Sequence, residues 1–192
     1  MTTVTVGNIT PASGSTVFID SNSRLASPGS PIQTLYYRTD ARNVYSAPIT
    51  GNGTTVTDLN LTITPKFSNS LIIMTWMIHG EMHYDSVWTL HRNGALITTA
   101  GYQGYNNQIG NSRWSGVIAS PYDQNDQSTT PFHLFIQYAI SAETTAMRTY
   151  APAVRASGGT AYTLYLNRAV ASAGTDGQEV GVSTGVIMEI MQ

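Results

Sequence analysis

The sequence predicts an all-β protein: an antiparallel β-sandwich or jelly-roll head with a short extended N-terminal arm. Three observations carry this. Helical periodicity is almost absent from the 192 residues. Segments that alternate apolar and polar residues recur instead, bounded by clusters of Gly, Asn, Asp, Pro and Ser. Turn signals come roughly every 8–12 residues, the spacing typical of sandwiches and barrels. A barrel or a propeller would be built from the same strands, although no internal repeat of the propeller kind occurs.

Taken in chain order, residues 1–30 read as an attachment arm. They hold Gly7, Pro11, Gly14, Pro28 and Gly29, and offer only Val4, Val6, Val17 and Ile19 as isolated strand-like pieces. Residues 26–31 read as a hinge into a head domain of residues 31–192. Leu59, Leu61 and Ile63 alternate with polar neighbours ahead of Pro65. Residues 71–78 are apolar at nearly every position, which predicts a central strand covered on both faces. Asn93-Gly94 separates 85–92 from 95–99. That dipeptide tolerates positive φ at both central positions, so a tight type I′ hairpin is expected. In residues 131–140, Phe132, Leu134, Ile136, Tyr138 and Ile140 alternate with His133, Phe135, Gln137 and Ala139, a period of two. Residues 141–147 are the one stretch that could make a turn or two of helix. Tyr162, Leu164 and Leu166 mark another strand. The last, residues 183–191, runs almost to the C-terminus and is expected to be tied into a sheet.

Composition narrows the function classes. Charged residues make up 10% of the chain, against about 25% in ordinary soluble domains. Thr, Ser and Asn are abundant and Lys66 is the sole lysine, so the surface is polar but uncharged. A formal charge of −2 implies no polyanion-binding surface, hence no nucleic-acid partner. The absence of Cys excludes a disulfide framework, a thiolate metal site and a cysteine nucleophile. The apolar runs are too short to span a bilayer, so no membrane insertion is expected. The start lacks the basic and apolar segments of a secretory signal.

Few residues suggest chemistry. His79, Glu81, His83 and Asp85 are spaced by two, which on one extended strand aims them at one face, and such a row can bind a divalent metal. Glu81 interrupts the pair of histidines, and a strand leaving the core with its polar face outward gives the same spacing. His91 and His133 join only if the fold brings them near. No metal or other cofactor is therefore expected. There is no Gly-x-Ser-x-Gly elbow. Asp58, Asp123, Asp126 and Asp176 sit in turn-like contexts that support no glycosidase pair. Gly51-Asn-Gly53 and Gly158-Gly159 are turn signals, not phosphate loops. The expectation is a protein without catalytic residues. Residues 101–113, followed by Trp114, mix Tyr, Gly, Asn and Gln as recognition loops do, making Tyr102, Tyr105 and Trp114 candidate binding residues. An ordinary long loop between subunits would have the same composition.

Several stretches resemble the short fibre-type virion surface proteins of tailed phages, those of cyanophages in particular. Pro28-Gly-Ser-Pro-Ile-Gln33 is similar to the Pro-Gly-x-x-Ile-Gln that opens their heads, and Leu61-Thr-Ile-Thr-Pro-Lys-Phe-Ser-Asn-Ser70 to their Ile-Thr-Pro-Lys-x-x-x-Ser hairpin. Trp88-Thr-Leu-His-Arg-Asn-Gly94 resembles their Arg-Asp/Asn-Gly hairpin. Tyr165-Leu-Asn-Arg168 and Ser183-Thr-Gly-Val-Ile-Met-Glu-Ile190 resemble their final strands. Met1-Thr-Thr-Val-Thr-Val-Gly-Asn-Ile9 looks like their attachment arms. The resemblance implies a homotrimeric jelly-roll head, related in plan to complement-type and tumour-necrosis-factor-type heads. It implies docking on other virion structural proteins through the arm, and contact of Tyr102, Tyr105 and Trp114 with a host cell-surface glycan or protein. Such a protein is assembled in the host cytoplasm and exposed on the virion. The same head can instead serve as a capsid decoration, or cement, protein. Less favoured readings are a metal-dependent jelly-roll enzyme using His79, Glu81 and His83, and a lectin-like module. The low charge adds an expectation that 71–78 or 186–191 line a trimer axis, because interface cores are depleted in charge.

Overall fold

A computed structural model of the chain describes residues 27–97, 118–121, 130–171 and 179–192. Most of the arm, and Tyr102, Tyr105 and Trp114, lie outside the described residues. The described strands, in chain order, are β1 (Pro31–Thr39), β2 (Val44–Ala47), β3 (Thr54–Thr55), β4 (Leu61–Ile63), β5 (Leu71–Glu81) and β6 (Ser86–Arg92). They continue with β7 (Ala95–Leu96), β8 (Phe132–Ser141), β9 (Arg148–Ala156), β10 (Tyr162–Leu166) and β11 (Ser183–Ile190). One 3-10 turn, Thr57–Leu59, precedes β4.

The strands form two antiparallel sheets that face each other. In the larger, β8 pairs with one edge of β5, while β11 and then β10 take its other edge; β1 lies outside β11 and β2 outside β10. In the smaller, β9 is central, with β6 and then β7 on one side and β3 and β4 on the other. From β5 onward the chain crosses repeatedly between the sheets, as it does in a jelly roll. The all-β sandwich expected from the alternating pattern is the observed fold.

The period-two pattern explains the core. Ile72, Met74, Trp76 and Ile78 of β5, Ile136 of β8 and Ile187 of β11 point inward from the larger sheet. They meet Trp88 and Leu90 of β6 and Tyr150 and Val154 of β9. The Trp76 indole N–H, buried with its ring, donates to the Leu59 carbonyl at 2.9 Å, which fixes the 3-10 turn over the sheet edge. The hairpin at 93–94 forms as its dipeptide requires: Asn93 and Gly94 have φ of 51° and 79°, and Arg92 pairs with Ala95.

Two expectations are corrected. Residues 141–147 form no helix: β8 runs to Ser141, and Glu143 takes a left-handed φ of 62°. Ala142 N–H donates to the Ser70 carbonyl at 2.8 Å, continuing the sheet pairing, and the Glu143 carboxylate reaches Arg92 at 2.8 Å and Arg148 at 3.4 Å. The second concerns residues 71–78. β5 is central within its sheet, but the described chain covers only one of its faces; Ile72, Met74, Trp76 and Ile78 are buried while Met77 is 52% exposed. Among the described strands, β6 and β9 are the ones buried on both faces. The outer side chains of β6, Thr89 and His91, lie under the 50–53 turn and both donate to the Asn52 carbonyl, at 3.1 and 2.9 Å.

β11 holds the larger sheet together, since it is the partner of both β1 and β5. Gly185, Ile187 and Glu189 face inward, while Val186, Met188 and Ile190 share the outer face. The segment read as a hinge is anchored to the end of this strand: Gly29 N–H donates to the Met191 carbonyl at 2.8 Å, and Met191 N–H to Ser30 at 3.0 Å. Deleting residues 185–192 removes the fully buried Ile187, whose burial contributes roughly 1.5–3 kcal/mol, and exposes a bare edge of β5. The expected product is insoluble or unfolded, checked by the soluble fraction and far-ultraviolet circular dichroism. A soluble, folded truncation would show that β11 is dispensable.

Candidate functional surface

Every second residue of β5, β8 and β11 points away from the core. The register places Met77 opposite Phe135 and Thr184, and Ile73 opposite Ala139 and Met188. Further out, Tyr36 of β1 stands opposite Val186. Across this face no outward side chain is charged, from Leu71 to Met77 on β5, Phe135 to Ser141 on β8 and Thr184 to Ile190 on β11. Phe135 is 60% exposed and Tyr36 66%. Apolar side chains on this uncharged face, interrupted by Thr75 opposite Gln137, mark a surface suited to contact. Arg38, on β1 beside Thr184, sits at its margin.

The face ends at a pair of histidines. His79 and His133 are directly opposite on β5 and β8, with Nδ1 of His79 3.0 Å from Nε2 of His133. Nε2–H of His79 donates to the Glu179 carbonyl at 3.3 Å, so Nδ1 carries the lone pair and accepts from His133. Burial holds the His79 pKa below the usual histidine range. The hydrogen bond to Glu179 opposes this, and the charge of His133 reinforces it.

The row that the less favoured metal reading used, His79, Glu81 and His83, does not assemble as a ligand set. Glu81 is fully buried and its carboxylate is spent on backbone: Oε1 accepts from Thr130 N–H at 2.9 Å and from the Thr130 hydroxyl at 3.1 Å, while Oε2 accepts from Val170 N–H at 2.6 Å. It pins two chain segments to the end of β5. The strand stops at Glu81 and Tyr84 takes a φ of 60°, so His83 and Asp85 leave the direction of the row. Among the described residues no group of three or more His, Asp or Glu is placed to hold a metal ion. Among them, too, no helix is long and apolar enough to cross a membrane.

Two buried polar groups that the sequence did not single out position this face. Asn167, fully buried with a φ of 57°, donates through Nδ2 to the carbonyls of Thr39 and Ala41 and accepts from the Ser183 hydroxyl at 2.6 Å. Its backbone N–H reaches the His79 carbonyl at 2.9 Å, so one residue ties β1, β5 and β11. Glu189, also fully buried, accepts from Lys66 N–H at 2.8 Å, Phe67 N–H at 3.0 Å, the Ser70 hydroxyl at 2.7 Å and the Gln33 amide at 2.6 Å. Burial pushes its carboxyl upward, but the bonds from Lys66, Gln33, Ser70 and Phe67 outweigh it and hold the pKa below the usual value. An open groove of about 310 Å³ lies beside this region, lined by Leu35, Tyr37, Asn60 and Thr62 among others.

No family model and no curated protein matches the chain. Among solved structures it is similar to the C-terminal domain of EclA, a sugar-binding protein, at 12% identity over 76% of this chain and 81% of that one, with a TM-score of 0.27. It is also similar to the T=1 particles derived from infectious bursal virus, at 13% identity and a TM-score of 0.33. The VP2 subviral particle of infectious bursal disease virus gives 13% and 0.32. Each of the last two alignments covers 92% of this chain, which spans 40% and 41% of those chains.

Proposed function

We infer that the chain is a non-enzymatic structural protein of a virus particle: a homotrimeric jelly-roll head, of tail-fibre type, displayed on the surface of a tailed phage. The observation that carries this is the uncharged outer face of β5, β8 and β11. A side chain such as Phe135 at 60% exposure is costly to leave in water, and three copies packed about an axis would cover one another there. The phage-like stretches support the reading by their place in the fold. The Ile-Thr-Pro-Lys turn and the terminal Met-Glu-Ile, similar to two separate family stretches, meet at Glu189. In this reading the arm, residues 1–30, docks on the particle, and Tyr102, Tyr105 and Trp114 contact the host surface. Three weak aromatic sites held together gain avidity against a repeated receptor, on the order of 10²–10⁴-fold.

The test is made on particles. Purified virions carrying the native chain should contain it, whereas a chain lacking residues 1–30 should remain trimeric and be absent from virions by mass spectrometry. The pair Tyr102→Ala and Tyr105→Ala should keep the trimer and lower adsorption to host cells. Unchanged adsorption would assign the head to capsid cement instead, and a truncated chain present at normal copy number would place attachment elsewhere.

A further inference from the structure

We propose that His79 and His133 form a two-histidine clip for a divalent first-row transition ion that favours imidazole ligands, such as nickel(II) or copper(II). The two facing nitrogens are 3.0 Å apart. Two imidazole nitrogens bound to one ion at about 2.1 Å and at right angles are separated by about 3.0 Å, whereas a tetrahedral pair stands about 3.4 Å apart. The 3.0 Å contact is a hydrogen bond in the empty pair, and it brings the two nitrogens within the span of one ion once the shared proton has moved and His133 has turned.

The two rings differ in a way that suits such a site. His79 is held: it is 4% exposed, its far nitrogen is bonded to the Glu179 carbonyl, and Gly181 lies so close that a Cβ there would stand 2.6 Å from the ring. A backbone carbonyl on the far nitrogen is how metal-binding histidines are commonly oriented, and it leaves Nδ1 as the ligating atom. His133 is exposed and its ring is tilted 49° from that of His79, so it can turn until both lone pairs converge. On binding, the proton that His133 shares with His79 moves to its own Nδ1, and the neutral pair becomes two ligands with no net proton release. Water completes the coordination, because Glu81 is committed to Thr130 and Val170. The ion is thus exchangeable, and it ties β5 to β8 at the end of the uncharged face. This inference stands apart from the virion reading and would hold for the isolated head.

Nickel(II) chloride alone, titrated into the full chain at pH 7.5 in a non-chelating buffer and followed by calorimetry, should bind with one saturable equivalent per chain and raise the melting temperature. His133→Ala, a change at an exposed position, should weaken binding at least about tenfold. His83→Ala should leave it unchanged. As a check that needs no variant, copper(II) should broaden the ring signals of His79 and His133 first in the nuclear magnetic resonance spectrum of the native chain. Absence of saturable binding, binding unchanged in His133→Ala, binding lost in His83→Ala, or broadening centred on other histidines would each overturn the site.

Discussion

Glu189→Ala should destabilise the fold by at least about 3 kcal/mol, the largest loss expected from any single polar substitution here. Removing the carboxylate leaves Lys66 and Phe67 N–H, the Ser70 hydroxyl and the Gln33 amide without their acceptor inside the sandwich. Each stranded donor costs about 1–3 kcal/mol, more where the lost partner was charged. The effect also has a pH signature. The folded-state pKa of Glu189 lies below its unfolded value, so the folded chain binds fewer protons there than the unfolded one. Its contribution is fully present above the ordinary glutamate pKa of 4.5 and is lost as pH falls through the lowered folded value. Urea midpoints measured at neutral pH and near pH 4 should fall less with acid in Glu189→Gln than in the native chain. Equal acid sensitivity of the two proteins would remove Glu189 from the account.

Met77→Glu combined with Phe135→Glu should abolish self-association while leaving the fold intact. Both side chains point outward, opposite each other on β5 and β8, and both are more than half exposed in the single chain. Charge at these exposed positions costs the monomer only the repulsion of two facing carboxylates, about 0.2–1 kcal/mol. In a packed trimer it buries two carboxylates per subunit without partners, which is expensive enough to dissociate the assembly. The variant should sediment as a monomer with a native circular dichroism spectrum. A trimeric variant would show that the contact lies on another face, and an unfolded one would show that these side chains serve the core.

The parts of the fold that were legible in the sequence rest on local chemistry. β8 and β10 follow from alternation, the hairpin at 93–94 from the dipeptide that permits two positive φ values, and β11 from an apolar-rich final run that reaches almost to the C-terminus. What was not legible depends on register and on distance along the chain. Glu189 finds Lys66 across 123 positions, and nothing near either residue announces the other. The His79–His133 pair needs the alignment of β5 with β8, which periodicity does not set. His79, Glu81 and His83 looked like a row because spacing by two was extended past the point where Tyr84 bends the chain. Asn167 closes the alternation that marks β10, which gives no sign of the left-handed backbone from which its amide ties three strands. Residues 71–78 were read correctly as apolar on both faces, but the second face was assigned a cover that the described chain does not supply. The trimer proposal rests on that uncovered face.

Sedimentation equilibrium of the native chain at micromolar concentration tests this most directly. A mass about three times the 20.7 kDa of the chain is the predicted result. A stable, monodisperse monomer would contradict it, because Met77 and Phe135, 52% and 60% exposed, would then gain no cover from other copies.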